Sequence, residues 1–181
     1  MIRMNEDPVR RRPKLLWTLF GIAAAILAFD QLSKQLAIAF LEGRPSIPVI
    51  GDLAGFAFYR NPGAALGLGA NMTWVFPLIA VAVFIAILVL SRKLGSRGWA
   101  IGLGLLLGGL FGNLVDRLFR QPGFPNGAVV DFIDLSLFIC NFADVAISAA
   151  AVTLIIASLR GIELDGSHRA AATAEKEDSH D

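Results

Sequence analysis

Four long apolar runs, residues 15–40, 72–90, 98–115 and 137–159, constrain this chain more than any other feature. A bilayer hydrocarbon core takes about 20 apolar residues per helical crossing, and each run is of that order. With 55% hydrophobic and only 17% charged residues in a chain of 181, little remains for a second large domain. The sequence predicts an all-α integral membrane fold, with four transmembrane helices in a single domain over residues 1–160. Residues 161–181 end in "AATAEKEDSHD", polar, acidic and free of aromatics, and predict a solvated, disordered tail.

The connections are unequal. Between the first two runs stands "LEGRPSIPVIGDLAGFAFYRNPGAALGLGA", with turn formers and β-prone pieces such as "SIPVI" and "FAFYR". Strands exposed to lipid would leave backbone groups unpaired, so this stretch predicts a small extracytoplasmic β subdomain. Between the last two, "RQPGFPNGAVVDFIDLS" reads as a loop punctuated by Pro122, Gly123, Pro125 and Gly127. Basic residues cluster at Arg10, Arg11, Arg12 and Lys14, at Arg92, Lys93 and Arg97, and at Arg160 and Arg169, all on one side of the four spans. Basic loops are retained in the cytoplasm, which places both termini there. A cleaved signal peptide is the rival reading of the first run, with "RRRPK" and "AIA" as its marks, but cleavage would discard Asp30 and Lys34.

Those two residues open the question of function, because ionisable groups at membrane depth are costly and need a reason. Asp30 and Lys34 share a helix face and read first as a local ion pair, with Lys34 also able to reach the headgroups. The third run ends in "GGLFGNLVDRLFR", which brings Asn113, Asp116 and Arg117 to the outer surface. Glycines 102, 104, 108, 109 and 112 smooth its flank for another helix or a substrate helix. Asp116 beside Arg117 reads equally as an interfacial ion pair or as structure around an active centre. Asp144 falls about two turns into the fourth span if that helix begins near Leu137. Asp131, Asp134, Asn141 and Asp144 then converge with the end of the third span at one depth.

Several carboxylates and amides at one depth suggest chemistry. Two carboxylates held close share a proton, so one activates water while the other, protonated, polarises a carbonyl. Spacing leaves the working pair open among Asp116, Asp131, Asp134 and Asp144. Both histidines, His168 and His180, fall in the tail, which removes a serine triad and the usual metal sites. The single cysteine, Cys140, reads as a small packing residue. The alternatives are a small proton-coupled transporter or channel using the same acids, and a noncatalytic chaperone for membrane substrates. A proton pathway should have acids at several depths, and the interiors of the second and third spans have none.

In order, "DQLSK" (30–34), "NPGAALG" (61–67), "GNLVDR" (112–117), "VVDFI" (129–133) and "NFAD" (141–144) resemble the lipoprotein signal peptidases, or signal peptidase II. The resemblance covers roughly residues 15–160. It implies a membrane-embedded aspartic endopeptidase of the bacterial inner (plasma) membrane that cleaves diacylglyceryl-modified prolipoproteins just before the lipidated cysteine. It also implies Asp131 and Asp144 as the catalytic pair. Asn113 and Asn141 would orient the acids or the peptide, Asn61 and Gly63 of "NPGAALG" would lie near substrate, and Asp116 and Arg117 would hold the end of the third span. Asp30 and Lys34 match a supporting position. A small extracytoplasmic sheet and a short interfacial helix are implied over the site. No cofactor, metal or nucleic acid enters this reading, lipid is the surrounding partner, and the protein is taken as a monomer. Leu66 stands where many relatives carry an aromatic, and the stretch from Asp131 to Asp144 is short, which bears on pocket and flap.

Overall fold

The computed structural model of the chain describes residues 13–63, 74–124 and 126–168. The order is α1 (Pro13–Leu41), β1 (Ile47–Ile50), β2 (Ala54–Asn61), α2 (Val75–Ser91), α3 (Arg97–Phe119), β3 (Val129–Asp134), β4 (Ile139–Cys140) and α4 (Phe142–Leu159). Among the described residues three helices, α1, α3 and α4, are long and apolar enough to cross a membrane, and α2 is a shorter apolar helix of 17 residues. Leu66 lies in the span 64–73, outside the described residues.

α3 is the central helix, with α1, α2 and α4 packed around it. Its glycines explain how two neighbours approach at once. A Cβ on Gly108 would lie 2.8 Å from the Ala23 carbonyl oxygen of α1, and one on Gly109 would lie 2.6 Å from the Ala143 carbonyl oxygen of α4. The smooth flank is thus filled from within the chain, as small-residue interfaces allow. Leu19, Ala23, Ile87, Leu103 and Leu107 form the main core cluster. Edge-on ring pairs join α2 to α3 through Phe84 and Phe111 (5.2 Å) and α1 to α4 through Phe29 and Phe142 (4.7 Å).

The sheet departs from expectation. It has four antiparallel strands in the order β1-β2-β3-β4, so the connection between α3 and α4, expected as a loop, supplies half of it. The reason lies in β3. Val130 and Phe132 pack toward Ala37 of α1 while Val129 and Asp131 line a cavity on the other side. With Val129 to Phe132 buried and Asp131 turned into the cavity, the strand lacks the apolar and polar alternation that marks a half-exposed one.

Two other expectations are corrected. α4 begins at Phe142 rather than near Leu137, because β4 takes Ile139 and Cys140 and Asn141 caps the helix, so Asp144 sits in its first turn. Residues 161–168, expected within a disordered tail, instead fold back on the α2–α3 connection. The Leu164 carbonyl accepts from Gly95 N (2.9 Å) and Ser96 N (3.2 Å), and Trp99 Nε1 donates to Ile162 O (2.9 Å).

Candidate active site

Asp131 is placed by strand register. Tyr59 stands opposite Asp131 and Asn61 opposite Val129, so Asn61 lies diagonal to Asp131 on the same face. Asn61 Nδ2 donates to Asp131 Oδ2 at 2.8 Å, and Gly63 N donates back to Asn61 Oδ1 at 3.0 Å, which fixes the amide's direction. The other Asp131 oxygen accepts from Asn141 Nδ2 at 2.5 Å.

Asp144 is placed by helix capping. Asn141 Oδ1 accepts from Asp144 N at 3.1 Å, and Asp144 Oδ2 accepts from Asn141 N at 3.1 Å, a reciprocal capping box. Asp144 Oδ1 accepts from Asn113 Nδ2 at 2.9 Å. Asn141 therefore touches both acids. Both line one cavity of about 390 Å³, together with Asn61, Asn113 and Arg117 on its polar side. Ile79 and Ala80 of α2, Leu110 and Leu114 of α3, and Ile147 of α4 form its apolar wall.

Asp131 is only 2% exposed. Burial pushes its carboxyl up to about 6, and the charge of Asp144 adds to this, while the Asn61 and Asn141 bonds and Lys34 oppose it. Cys140 lines the same cavity, and burial next to the two acids pushes its thiol up to about 11, which keeps it protonated and inert.

The remaining candidate acids lie elsewhere. Asp134 accepts from Ser136 N at 2.9 Å in the β3–β4 turn and does not line the cavity. Asp116 is fully buried and pairs with Lys34 (2.9 Å) and Arg120, not with Arg117. Lys34 is also fully buried, so it does not reach the headgroups. Its Nζ contacts Asp30 Oδ2 at 2.8 Å and Asn113 Oδ1 at 2.9 Å. Arg117 donates to the carbonyls of Pro62 (3.4 Å) and Gly63, and its guanidinium lies 4.4 Å from the centre of the Phe76 ring. It clamps the two residues that follow Asn61 at the end of β2.

Sequence reasoning missed Gln31 and Arg120. Gln31 Nε2 donates to Gly112 O at 2.9 Å and to Asp116 Oδ1 at 3.2 Å, and Arg120 Nη2 approaches Gln31 Oε1 at 3.4 Å. Their position, beside Asp30 and one turn past Asp116, was the available signal. Among the described residues no group of three or more His, Cys, Asp or Glu side chains is arranged to hold a metal ion.

The family described as signal peptidase (SPase) II matches residues 22–160, a stretch that contains both cavity acids and every side chain that bonds them. The chain belongs to the signal peptidase II family. Signal peptidase II enzymes are aspartic proteases, and this one shares 46% identity over 165 residues with a lipoprotein signal peptidase of Rhodococcus jostii (90% of this chain, 82% of that one). Identity is 48% over 161 residues with that of Streptomyces coelicolor (88% and 79%), and 40% over 162 residues with that of Mycobacterium avium (89% and 89%). A bacterial membrane enzyme solved by the in meso method at 2.3 Å resolution superposes with a TM-score of 0.69 at 28% identity, over 82% of this chain and 88% of that one. As a signal peptidase II, the chain is a membrane enzyme of several apolar helices and a small antiparallel sheet.

Proposed function

We propose that this enzyme cleaves diacylglyceryl-modified prolipoproteins just ahead of the lipidated cysteine, with Asp131 and Asp144 as its catalytic pair. The names of its relatives support prolipoproteins as the substrates. One observation carries the choice of acids: of the four candidates only Asp131 and Asp144 line the cavity, and Asn141 contacts both. The family match favours the peptidase over the transporter reading.

Asp131, with its raised carboxyl, holds the shared proton, and Asp144, half-buried in the first turn of α4, is the base. A water between them loses a proton to Asp144 and attacks the scissile carbonyl carbon, while Asp131 gives its proton to the carbonyl oxygen. Collapse of the tetrahedral intermediate breaks the C–N bond, returns that proton to Asp131, and passes the proton on Asp144 to the leaving amine. Asn61, Asn113 and Asn141 orient the two acids. Gly63 N fixes the Asn61 amide, and Arg117 holds Pro62 and Gly63 just after it.

The arrangement fits four spans with both termini in the cytoplasm and the sheet and cavity near the extracytoplasmic face of the bacterial inner membrane. Arg92, Lys93, Arg97 and Arg160 lie around the α2–α3 connection and the end of α4, which meet through Leu164 at the opposite end of the bundle from the sheet. A signal peptide is itself an apolar helix, so it reaches the cavity laterally as a monomeric enzyme's substrate, against the Ile79, Leu110 and Ile147 wall. Lipid affinity of about 0.8 kcal/mol per buried methylene keeps the modified cysteine at the right depth.

The test is cleavage of one prolipoprotein by the purified enzyme with and without the diacylglyceryl group on its cysteine. Release of the signal peptide from the modified form alone is expected. Equal cleavage of both forms would remove the lipid from the recognition, and no cleavage of either would reject the assignment.

A further inference from the structure

A second buried polar cluster lies outside the cavity. Asp30, Lys34 and Asp116 are each fully buried, yet none of them lines the space where peptide and water would meet. Burying two carboxylates and an ammonium is not a stabilising choice in itself, since well-packed apolar residues of similar volume serve as well or better. What the cluster touches gives it a role.

Lys34 Nζ has three N–H bonds and three acceptors: Asp30 Oδ2, Asp116 Oδ2 and Asn113 Oδ1. Each acceptor leads to a catalytic element. Asp30 Oδ1 accepts from Ala143 N at 2.9 Å, in the first turn of α4 and adjacent to Asp144. Asp116 Oδ2 accepts from Val130 N at 3.2 Å, adjacent to Asp131. Asn113 completes the set, because an amide whose oxygen is committed to an ammonium turns its nitrogen the other way. That nitrogen donates to Asp144 Oδ1 at 2.9 Å. Without the cation, the amide can flip and present an oxygen to the carboxylate, replacing attraction by repulsion.

We infer that Lys34 is a positioning residue for the dyad: one ammonium on α1 fixes the polarity of Asn113 toward Asp144 and, through Asp30 and Asp116, the backbones that carry both acids. This rests on the assignment of Asp131 and Asp144 as the catalytic pair. It differs from a packing role, which would require volume at position 34 and no particular charge.

The experiment compares kcat and KM on a lipid-modified prolipoprotein for Lys34→Met, Asn113→Leu and the double variant, with thermal unfolding of each in detergent. Lys34→Met risks unfolding, so a neutralised cluster, Lys34→Met with Asp30→Asn and Asp116→Asn, keeps acceptors for Ala143 N and Val130 N without stranded charge. The expected result is kcat lower by about 100-fold in Lys34→Met or the neutralised cluster and in Asn113→Leu, as for loss of one fixed donor at a reacting centre. KM stays within about threefold. Because both changes cut one relay, Lys34→Met and Asn113→Leu together, made in whichever background folds, lose no more than the larger single loss. A folded neutralised cluster with unchanged kcat would overturn the inference, and so would losses that multiply in the combined variant. Failure of the dyad itself is distinguishable, since Asp131→Asn and Asp144→Asn would then retain cleavage.

Discussion

Asn141 Nδ2 lies 2.5 Å from Asp131 Oδ1, while the same side chain's oxygen caps α4 by accepting the Asp144 N–H. One amide thus ties a strand carboxylate to a helix start. Its two functions separate by mutation. Asn141→Asp keeps a good cap but replaces the donor to Asp131 by a second carboxylate, so activity should fall at least about tenfold with little loss of thermal stability. Asn141→Ala loses both and should cost about 1 kcal/mol in addition. Unfolding curves beside kcat values decide the matter, and an active Asn141→Asp enzyme would contradict the geometry.

The acid role of Asp131 has a definite sign in pH. Burial pushes its carboxyl up to about 6, and a general acid works only when protonated, so kcat/KM should decline as pH rises through that region. Asn61 donates to Asp131 and favours its charged form, so Asn61→Ala should move this limb to higher pH. A limb that rises with pH near 6 would instead make Asp131 the base and exchange the roles.

Helix packing around α3 offers a control on the fold. Gly109→Val would push a side chain into the Ala143 backbone and should cost about 1–3 kcal/mol, with loss of activity because Asp144 rides on that turn. Gly21→Ala, where a Cβ meets nothing within 4 Å, should leave stability unchanged or raise it by up to about 1 kcal/mol. Thermal melts of the two variants provide the comparison.

The folded turn at 161–168 is separable from catalysis. A side chain on Gly95 would collide with the Asp165 backbone, so Gly95→Ala should release the turn and speed limited proteolysis after Arg160, while cleavage of prolipoprotein continues. Unchanged proteolysis would mean that the turn holds without this contact.

Much of this was legible in the sequence, and the gaps have physical causes. Apolar runs and basic flanks marked the helices because the bilayer demands length and low charge. Asp131 and Asp144 were visible as acids, but spacing left four candidates, since sheet register and the true start of α4 decide which reach the cavity. "VVDFID" hid its strand because Val130 and Phe132 cover one face and Asp131 turns into a cavity on the other. Lys34 looked satisfied by Asp30 one turn away, so its bonds to Asp116 and Asn113 on α3 gave no local signal.

The central claim is that Asp131 and Asp144 perform the hydrolysis together. The most direct measurement is cleavage of a diacylglyceryl-modified prolipoprotein by purified Asp131→Asn and Asp144→Asn enzymes beside the wild type, with folding checked by thermal melts. Loss of cleavage in both folded variants is the predicted result. Cleavage that survives in either would contradict the dyad and return the catalytic role to another acid, with Asp116 the next to be changed.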